Sequence, residues 1–599
     1  MAQIARADQC DPRGFFLLIQ SLVMSSSNLV NELLSKRGIT AAGDVERFLN
    51  PDYERDTHSP LLLEGMERAV ARVLSAIAQN ERIAVYADFD CDGIPGAALL
   101  SDFFNKIGYS NFEIYIPHRD REGYGFHTEA IDQFAEEKVS LIITVDVGTN
   151  SVDAVAHAKE KGIDVIITDH HEPVREPSSS NGPGVTGVLP DCVAVLNPKL
   201  GDYPFRDLCG AAVAFKLVLA TLLEGKKRGI EAFTKIPEGW ERWLLDLVAI
   251  ATVADLVPLV GENRVLAHFG LKVLRKSPRP GILALVNRLR LRRAELREDD
   301  IAFSIAPRIN AASRMDEPGL AFRLLVTQDS AEAERLAAHL EELNTQRKAK
   351  VASVVKAAKR SVRTRFKPEE KVVVLGNPEW KPALLGLAAN SIMEERGGVV
   401  CLWGRDANGK LKGSCRSDGS VSVVELFSSA RKAFIEFGGH ERSGGFTVSH
   451  ENIHTLPASL RDAALSLLAV SSSNPSKENT EPVSVGHDAV ITLSEFTESL
   501  LGEVSKLGPF GIGNPKPIFL VSHTSVSSVR KFGRDTNHLE VLVSCERTGL
   551  SMRTFDFFRT PEDFTHAPVS GASTRLLATL ERDTFRGGLA LRLVDLLSA

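Results

Sequence analysis

"ADFDCDGIPG", residues 87–96, sets Asp88, Asp90 and Asp92 at alternate positions and closes them with Gly93. The spacing is that of an opening calcium-binding loop, which needs a bidentate acid at its twelfth position. Counted from Asp88, that position is Leu99, whose side chain offers no oxygen. The stretch also follows "RIAVYAD" (82–88), which has strand length and β-branched character, whereas a calcium loop joins two helices. The calcium reading is excluded. The three aspartates stand instead at the end of a strand, and the surrounding sequence decides the fold.

Four further runs resemble "RIAVYAD": "FEIYIPH" (112–118), "LIITVD" (141–146), "DVIITD" (164–169) and "VAVLNP" (193–198). Between them lie "AALLSDFFNKIG" (97–108) and "SVDAVAHAKEKG" (151–162), which carry helical apolar spacing and end in glycine. Strand and helix in alternation predict a parallel sheet with helices on both faces. "EPSSSNGPGVTGVLP" (176–190) reads as an exposed loop on that scaffold. Residues 331–360 contain no Gly or Pro and are rich in Ala, Glu, Lys and Leu, which predicts one long helix connecting two lobes. A second α/β unit runs from "KVVVLGN" (371–377) to "GGFTVSH" (444–450), and "SSSNPSKENTEPVSVG" (471–486) is a polar linker. Short alternating runs after it, such as "HLEVLVSCE", "RLLATLERD" and "LALRLVDLL", predict a small β-barrel.

At 599 residues the chain is too long for one core. Its net charge of −6 provides no global basic field for nucleic acid. Two local basic clusters, "RLRLRRAELR" (288–297) and "KAAKRSVRTRFK" (356–367), are read first as solvated faces. The seven cysteines are scattered and never form CxxC, which argues against a disulfide framework or a zinc knuckle and for a reducing cytoplasm. "GFFLLIQSLVM" (14–24) is too short to span a bilayer, carries Gln20 and lacks a small-residue cleavage site, so neither a membrane span nor a signal peptide is expected.

In parallel α/β sheets, ligands bind beyond the carboxyl ends of the strands. Predicted strands end at Asp88/Asp90/Asp92, at Asp146 and at Asp169-His170-His171, and Asp255 ends the apolar run "LLDLVAIATVAD" (244–255). Taken singly, an Asp after a strand is most often a turn or cap residue. Four such sites at one sheet edge are hard to reconcile with accident, and that many carboxylates would raise one another's pKa unless cations joined them. Aspartates with imidazole and no thiolate favour Mn²⁺, with Mg²⁺ as the alternative.

"DFDCDG", "TVDVG", "TDHHEP" and "VADLVPL" resemble, in order, the motifs of the DHH phosphoesterase superfamily, and within it the RecJ family of single-strand exonucleases. "IPHRDREGYGF", "LNPK", "YPFRDLCGAAVAFKL", "APRINAASRM", "GSCRSDGS", "GGHERSGGF" and "LGPFGIGNPKPIF" extend the likeness from about Arg37 nearly to the C-terminus. The resemblance implies an α/β chain in which a parallel-sheet DHH domain (51–325) and an α/β DHHA1 domain (367–470) are joined by a long helix (326–366). An N-terminal segment (1–50) precedes them, and a linker (471–486) leads to a small all-β OB-fold domain (487–599). It makes Asp90, Asp92, Asp146, His170 and Asp255 metal ligands for two divalent cations, with Asp146 or Asp92 shared. Asp88 lies in or beside that ligand set, and His171 faces the scissile phosphate. Ser414, Arg416 and Arg119 would bind a 5′ phosphate. Tyr124, Arg308, Asn310, Arg314, Gly438, Gly439 and His440 would meet the strand, the alternative for "APRINAASRM" being a structural turn with internal hydrogen bonds, especially at Asn310. Lys531, Phe532, Arg534 and Phe585 are the OB candidates.

The implied activity is 5′→3′ hydrolysis of single-stranded DNA to mononucleotides in repair and recombination. Single-strand-binding protein and a helicase are the implied partners. Two other classes stand beside it: a phosphodiesterase for short oligonucleotides or cyclic dinucleotides, and a non-catalytic DNA-binding scaffold. Cys91, Pro95, Val147 and Ser313 replace the alanine, threonine, cysteine and glycine usual in the family. None of them removes a ligand.

Overall fold

The computed structural model describes residues 29–173, 188–472, 486–533, 536–583 and 587–599. The stretch 14–24, most of the loop 176–190, most of the linker 471–486, and both Arg534 and Phe585 lie outside the described residues. Chain contacts divide the molecule into two compact units, Thr57–Val257 with Gly261–Glu478, and Met1–Asp56 with Pro258–Val260 and Asn479–Ala599. Among the described residues no helix is long and apolar enough to cross a membrane.

The first unit is built on five parallel strands: β1 (Arg82–Ala87), β2 (Phe112–Tyr115), β3 (Val139–Val145), β4 (Asp164–Thr168) and β5 (Ala194–Leu196). Their order is β2-β1-β3-β4-β5. β1 and β3 are buried almost throughout, as strands covered on both faces must be, so they read as continuous apolar runs rather than alternating ones. Register aligns the strand ends. Ala87 pairs with Val145, Val145 with Thr168 and Thr168 with Leu196, which brings Asp88, Asp146, Asp169 and Asn197 out at one edge. Backbone bonds carry the ladder one residue further, from Asp88 N–H to Val145 C=O and from Asp146 N–H to Thr168 C=O.

Asp255 reaches that edge by another route. Residues Leu245–Ala254 form a helix that is buried on all sides, so it lacks the stripe that marks a helix in sequence, and Asp255 closes its C-terminus. The connector is a single helix, Ser330–Arg365, about 54 Å long at 1.5 Å per residue. Asp329 caps its start by accepting from Ala331 N–H at 2.8 Å. It packs on the Ala306–Met315 helix and on Pro382–Arg396, the latter through Val354, Ala358 and Val362.

The latter helix connects β6 (Val372–Gly376) to β7 (Val399–Arg405), which pair in parallel. β8 (Leu411–Ser417), β9 (Glu436–Gly439) and β10 (Ser443–Val448) complete an antiparallel extension in the order β6-β7-β8-β10-β9.

The second unit is a barrel. β11 (Ala489–Ile491) lies beside β12 (Phe519–Phe532), followed by β13 (His538–Cys545), β14 (Ser551–Phe557), β15 (Ser573–Arg582) and β16 (Leu589–Ser598). β12 pairs with both β13 and β15, and a register shift at Val526/Ser528 bends it so that the sheet closes. β13 alternates buried and half-buried residues along its whole length, the pattern of a barrel wall. The described part of the N-terminal segment belongs here. Val30, Leu33 and Leu34 sit in the barrel core with Leu500, Leu507 and Phe519, and Arg37 Nη2 donates to Pro515 C=O at 2.8 Å.

Candidate metal centre

The loop after β1 is shaped by close approach. A side-chain carbon at Gly93 would stand 2.3 Å from Asp88 O, so only glycine permits the chain to fold over its own first aspartate. Asp90 Oδ1 accepts from Asp92 N–H at 2.8 Å and Gly93 N–H at 3.2 Å, and the Gly93–Lys106 helix starts there. Pro95 takes its third position, where a missing N–H costs no intrahelical bond. Cys91 N–H donates to Asn310 Oδ1 at 3.1 Å, which pins the loop from the other side.

Asp92 is buried, and its two oxygens accept from Gly210 N–H at 2.6 Å and Ala211 N–H at 2.8 Å, at the start of the Gly210–Lys227 helix. Gly210 is required for the same reason as Gly93, since a carbon added there would lie 2.6 Å from Asp146 Cβ. Burial and then the neighbouring Asp90 push the Asp92 carboxyl up to about 6.

Asp146 holds φ at +61°, a left-handed backbone that non-glycine residues rarely adopt. Such strain costs of order 1–3 kcal/mol and gathers at functional sites. Its Oδ1 is buried and has no hydrogen-bond partner, as is Oδ1 of Asp88. Burial and the surrounding carboxylates raise the Asp88, Asp146 and Asp255 carboxyls well above their ordinary range.

His170 sits among these acids, its Nε2 at 3.2 Å from Asp146 Oδ1, 3.6 Å from Asp255 Oδ2 and 3.8 Å from Asp92 Oδ2. Burial, then the neighbouring His171, pushes its ring down to about 3, so the imidazole is neutral and able to ligate. Ligand atoms fall into overlapping trios: Asp88/Asp90/Asp146, Asp92/His170/Asp255 and Asp146/His170/His171, each within 4.8 Å. Asp146 belongs to two of them. Orphaned buried oxygens, a neutral imidazole and an all-oxygen-and-nitrogen donor set fit a hard divalent cation. Two thiols lie beside Asp92, Cys91 and Cys209; burial raises both well above the ordinary thiol value, and Cys209 acts as a hydrogen-bond donor to Asp92 rather than a thiolate ligand.

His171 is held differently. Its Nδ1–H donates to Asp169 Oδ1 at 2.7 Å, and Tyr124 Oη lies 3.2 Å from Nε2. Burial favours the neutral ring, but the Asp169 carboxylate outweighs it and raises the imidazole to about 9. Asp169 also accepts from His170 N–H, His171 N–H and Thr149 N–H. Asn197 Nδ2 donates to His171 C=O at 2.9 Å. Asp169 and Asn197 are therefore supports for the histidine pair. The sequence signal for them was the register of the strand ends.

The remaining candidates divide by what they touch. The ring of His440 lies 6.2 Å from that of His171 and nearly parallel to it, and Gly438 and Gly439 precede it at the end of β9. Arg119 stacks on Phe89 at 4.5 Å. Ser414 and Arg416 lie on β8, with Arg416 Nη1 donating to Cys415 C=O at 2.8 Å. Arg314 Nη1 donates to Ala383 C=O at 2.7 Å. Burial holds Arg314 well below its ordinary value, and the like charges of Arg119, Arg347 and Arg416 push the same way.

Arg308 is committed to the protein, with Nε on Glu341 Oε2 at 2.6 Å, and the side-chain oxygen of Asn310 accepts from Cys91 N–H. Within the basic clusters, Arg293 donates to Ser277 C=O, and Lys359 and Arg363 meet Glu395. In the barrel unit Phe532 meets His538 at a tilt and Phe557 edge-on, and Lys531 precedes it on the same strand.

Comparison with known proteins matches residues 82–252 to the DHH family, N-terminal domain, 369–465 to the DHHA1 domain and 487–594 to the RecJ OB domain. A relative from Salmonella typhimurium, single-stranded-DNA-specific exonuclease RecJ, is 31% identical over 580 residues, 94% of this chain and 95% of its own. A Bacillus subtilis protein of the same name is 34% identical over 531 residues, 88% of this chain, which spans 63% of that protein's length. The crystal structure of RecJ in complex with Mn²⁺ from Thermus thermophilus superimposes with a TM-score of 0.74 at 27% identity, covering 95% of this chain and 76% of the other.

Proposed function

Because the chain belongs to the RecJ family of single-stranded-DNA-specific exonucleases, we propose that it hydrolyses single-stranded DNA from the 5′ end, releasing mononucleotides, with two divalent cations in the acid cluster. The observation that carries the reading is the convergence of Asp88, Asp90, Asp92, Asp146, His170 and Asp255 with two buried oxygens left unpartnered. Cations held there supply Lewis acidity toward the phosphoryl oxygens and lower the pKa of the attacking water. Mn²⁺ suits the mixed carboxylate and imidazole set, with Mg²⁺ as the alternative.

Asp146, present in two of the trios, is the residue suited to sharing. His171, kept cationic by Asp169, stands on the same edge to stabilise charge on the phosphate or to protonate the departing oxygen. Arg119 and Arg416, with the Ser414 hydroxyl, form a cationic grip for a terminal phosphate, since guanidinium makes paired charge-assisted bonds to phosphate. A cytoplasmic location and a role in repair and recombination belong to the same proposal. Partnership with single-strand-binding protein and a helicase is proposed on the family likeness.

Time courses on 5′- and 3′-labelled single strands with Mn²⁺ test the reading. Label released first from the 5′ end is expected. Release from the 3′ end, or no hydrolysis with metal present, overturns it.

A further inference from the structure

The connector helix carries a guanidinium that the hydrolytic centre does not use. Arg347 lies one turn beyond Asn344 on Ser330–Arg365, and its Nε and Nη2 both donate to Asn344 Oδ1, at 3.2 and 2.9 Å. Asn344 is fully buried, and its Nδ2 has no partner. An unsatisfied buried donor is destabilising, so this amide is a poor choice for stability alone. Its effect is to fix the arginine's orientation while leaving Nη1 uncommitted.

Among the described residues Arg347 has no carboxylate partner. On its own helix, Glu341 is engaged by Arg308 and Glu342 accepts from Gln346. The facing Ala306–Met315 helix contributes further cations, Arg308 and Arg314, and Lys348 adds one more. Burial depresses Arg347, and the charge of Arg308 adds to it. Arg347 in turn acts on Arg314 together with Arg119 and Arg416, so it shares the field of the terminal-phosphate grip although it comes from a different element. A braced, half-buried cation without a counter-charge is a site for an external anion.

We propose that Arg347, braced by Asn344, binds an internal phosphate of the single strand and sets affinity for chains longer than a dinucleotide. The assignment rests on the proposed single-strand exonuclease activity. It adds a contact that neither the metal centre nor Arg119 and Arg416 supply.

The test uses the full chain without metal and a 5′-phosphorylated oligonucleotide of about twenty nucleotides, long enough for several phosphate contacts. Binding is followed by fluorescence anisotropy across a salt series. Arg347→Gln is expected to weaken binding about tenfold and to flatten the slope of log K against log[salt] by about 0.7, the value of one single-strand phosphate contact. Arg347→Lys should restore the slope, because counterion release counts charge rather than geometry. Turnover of a 5′-phosphorylated dinucleotide with Mn²⁺ should fall less in Arg347→Gln than turnover of the longer oligonucleotide, because only the longer chain carries the phosphate that Arg347 contacts. An unaltered slope in Arg347→Gln, or a flattened slope that lysine fails to restore, assigns Arg347 to helix packing and overturns the proposal. Failure of the unsubstituted chain to bind the oligonucleotide removes instead the exonuclease activity on which the proposal rests.

Discussion

Two groups of buried charge in one unit are built on opposite principles. Lys216 and Glu262, both fully buried, meet at 2.5 Å. Lys216 Nζ also donates to His58 C=O at 2.6 Å, and Glu262 accepts from Tyr203 Oη at 2.8 Å and His58 N–H at 2.9 Å. That group is internally satisfied, and it ties residues near position 58 to the helices at 210–227 and 261–274. The cluster at the sheet edge has more carboxylates than cationic side chains, and Asp88 Oδ1 and Asp146 Oδ1 accept no hydrogen bond. A buried charge whose partners are all protein is part of the architecture, and one left incomplete is completed by a ligand.

The sharpest way to break this contrast is Asp146→Asn. It should reduce exonuclease activity at least about a thousandfold while leaving the metal-free melting temperature unchanged or higher, because it removes a repelling charge. Activity within tenfold of the unsubstituted chain would show that the unpartnered oxygen is not functional. Glu262→Gln or Lys216→Met should do the reverse. Removing one partner of a buried pair costs about 3–5 kcal/mol in denaturant unfolding, with turnover per folded molecule preserved.

Metal addition separates the two groups directly. Mn²⁺ at about a hundred times its Kd should stabilise the chain by about 2.7 kcal/mol, an increment lost in Asp146→Asn and retained in Lys216→Met. Equal increments in both variants would place the cation elsewhere.

Asp169→Asn gives the smallest effect, about 10–100-fold in rate, as for a support behind a ligand set. It also carries a pH signature. The His171 ring, raised from its ordinary value near 6.5 to about 9, stays protonated through neutral pH and loses that proton as pH rises through about 9. The alkaline limb of kcat/KM against pH should therefore move to lower pH when Asp169 no longer holds the charge. A limb that stays in place would detach Asp169 from the chemistry.

Much of this site could be read from the sequence because strand ends in a parallel sheet are collinear. Asp88, Asp146 and Asp169 each follow an apolar run, and register aligns them. Asp255 was legible only as the end of an apolar run, since a helix buried on all sides and a buried strand share the same pattern. Asn310 looks from sequence like a substrate residue or a turn, and its side-chain oxygen accepts from the Cys91 N–H. That contact joins positions 219 residues apart, beyond any local pattern. Packing of Val30, Leu33 and Leu34 into the barrel core was invisible for the same reason, because the partner surface is encoded after residue 486. The barrel itself was legible in the alternation of β13, whereas its closure depends on the bend in β12 that lets one strand serve two neighbours.

The left-handed backbone of Asp146 has a consequence for how this protein tolerates change. A redesign that optimised stability alone would rewrite this position early, choosing glycine for the dihedral or asparagine for the charge. Each of those choices should yield a hardier protein that no longer cuts DNA. Thermal selection and selection for turnover therefore pull in opposite directions at this one codon, and a library screened only for heat resistance should enrich the inactive variants there.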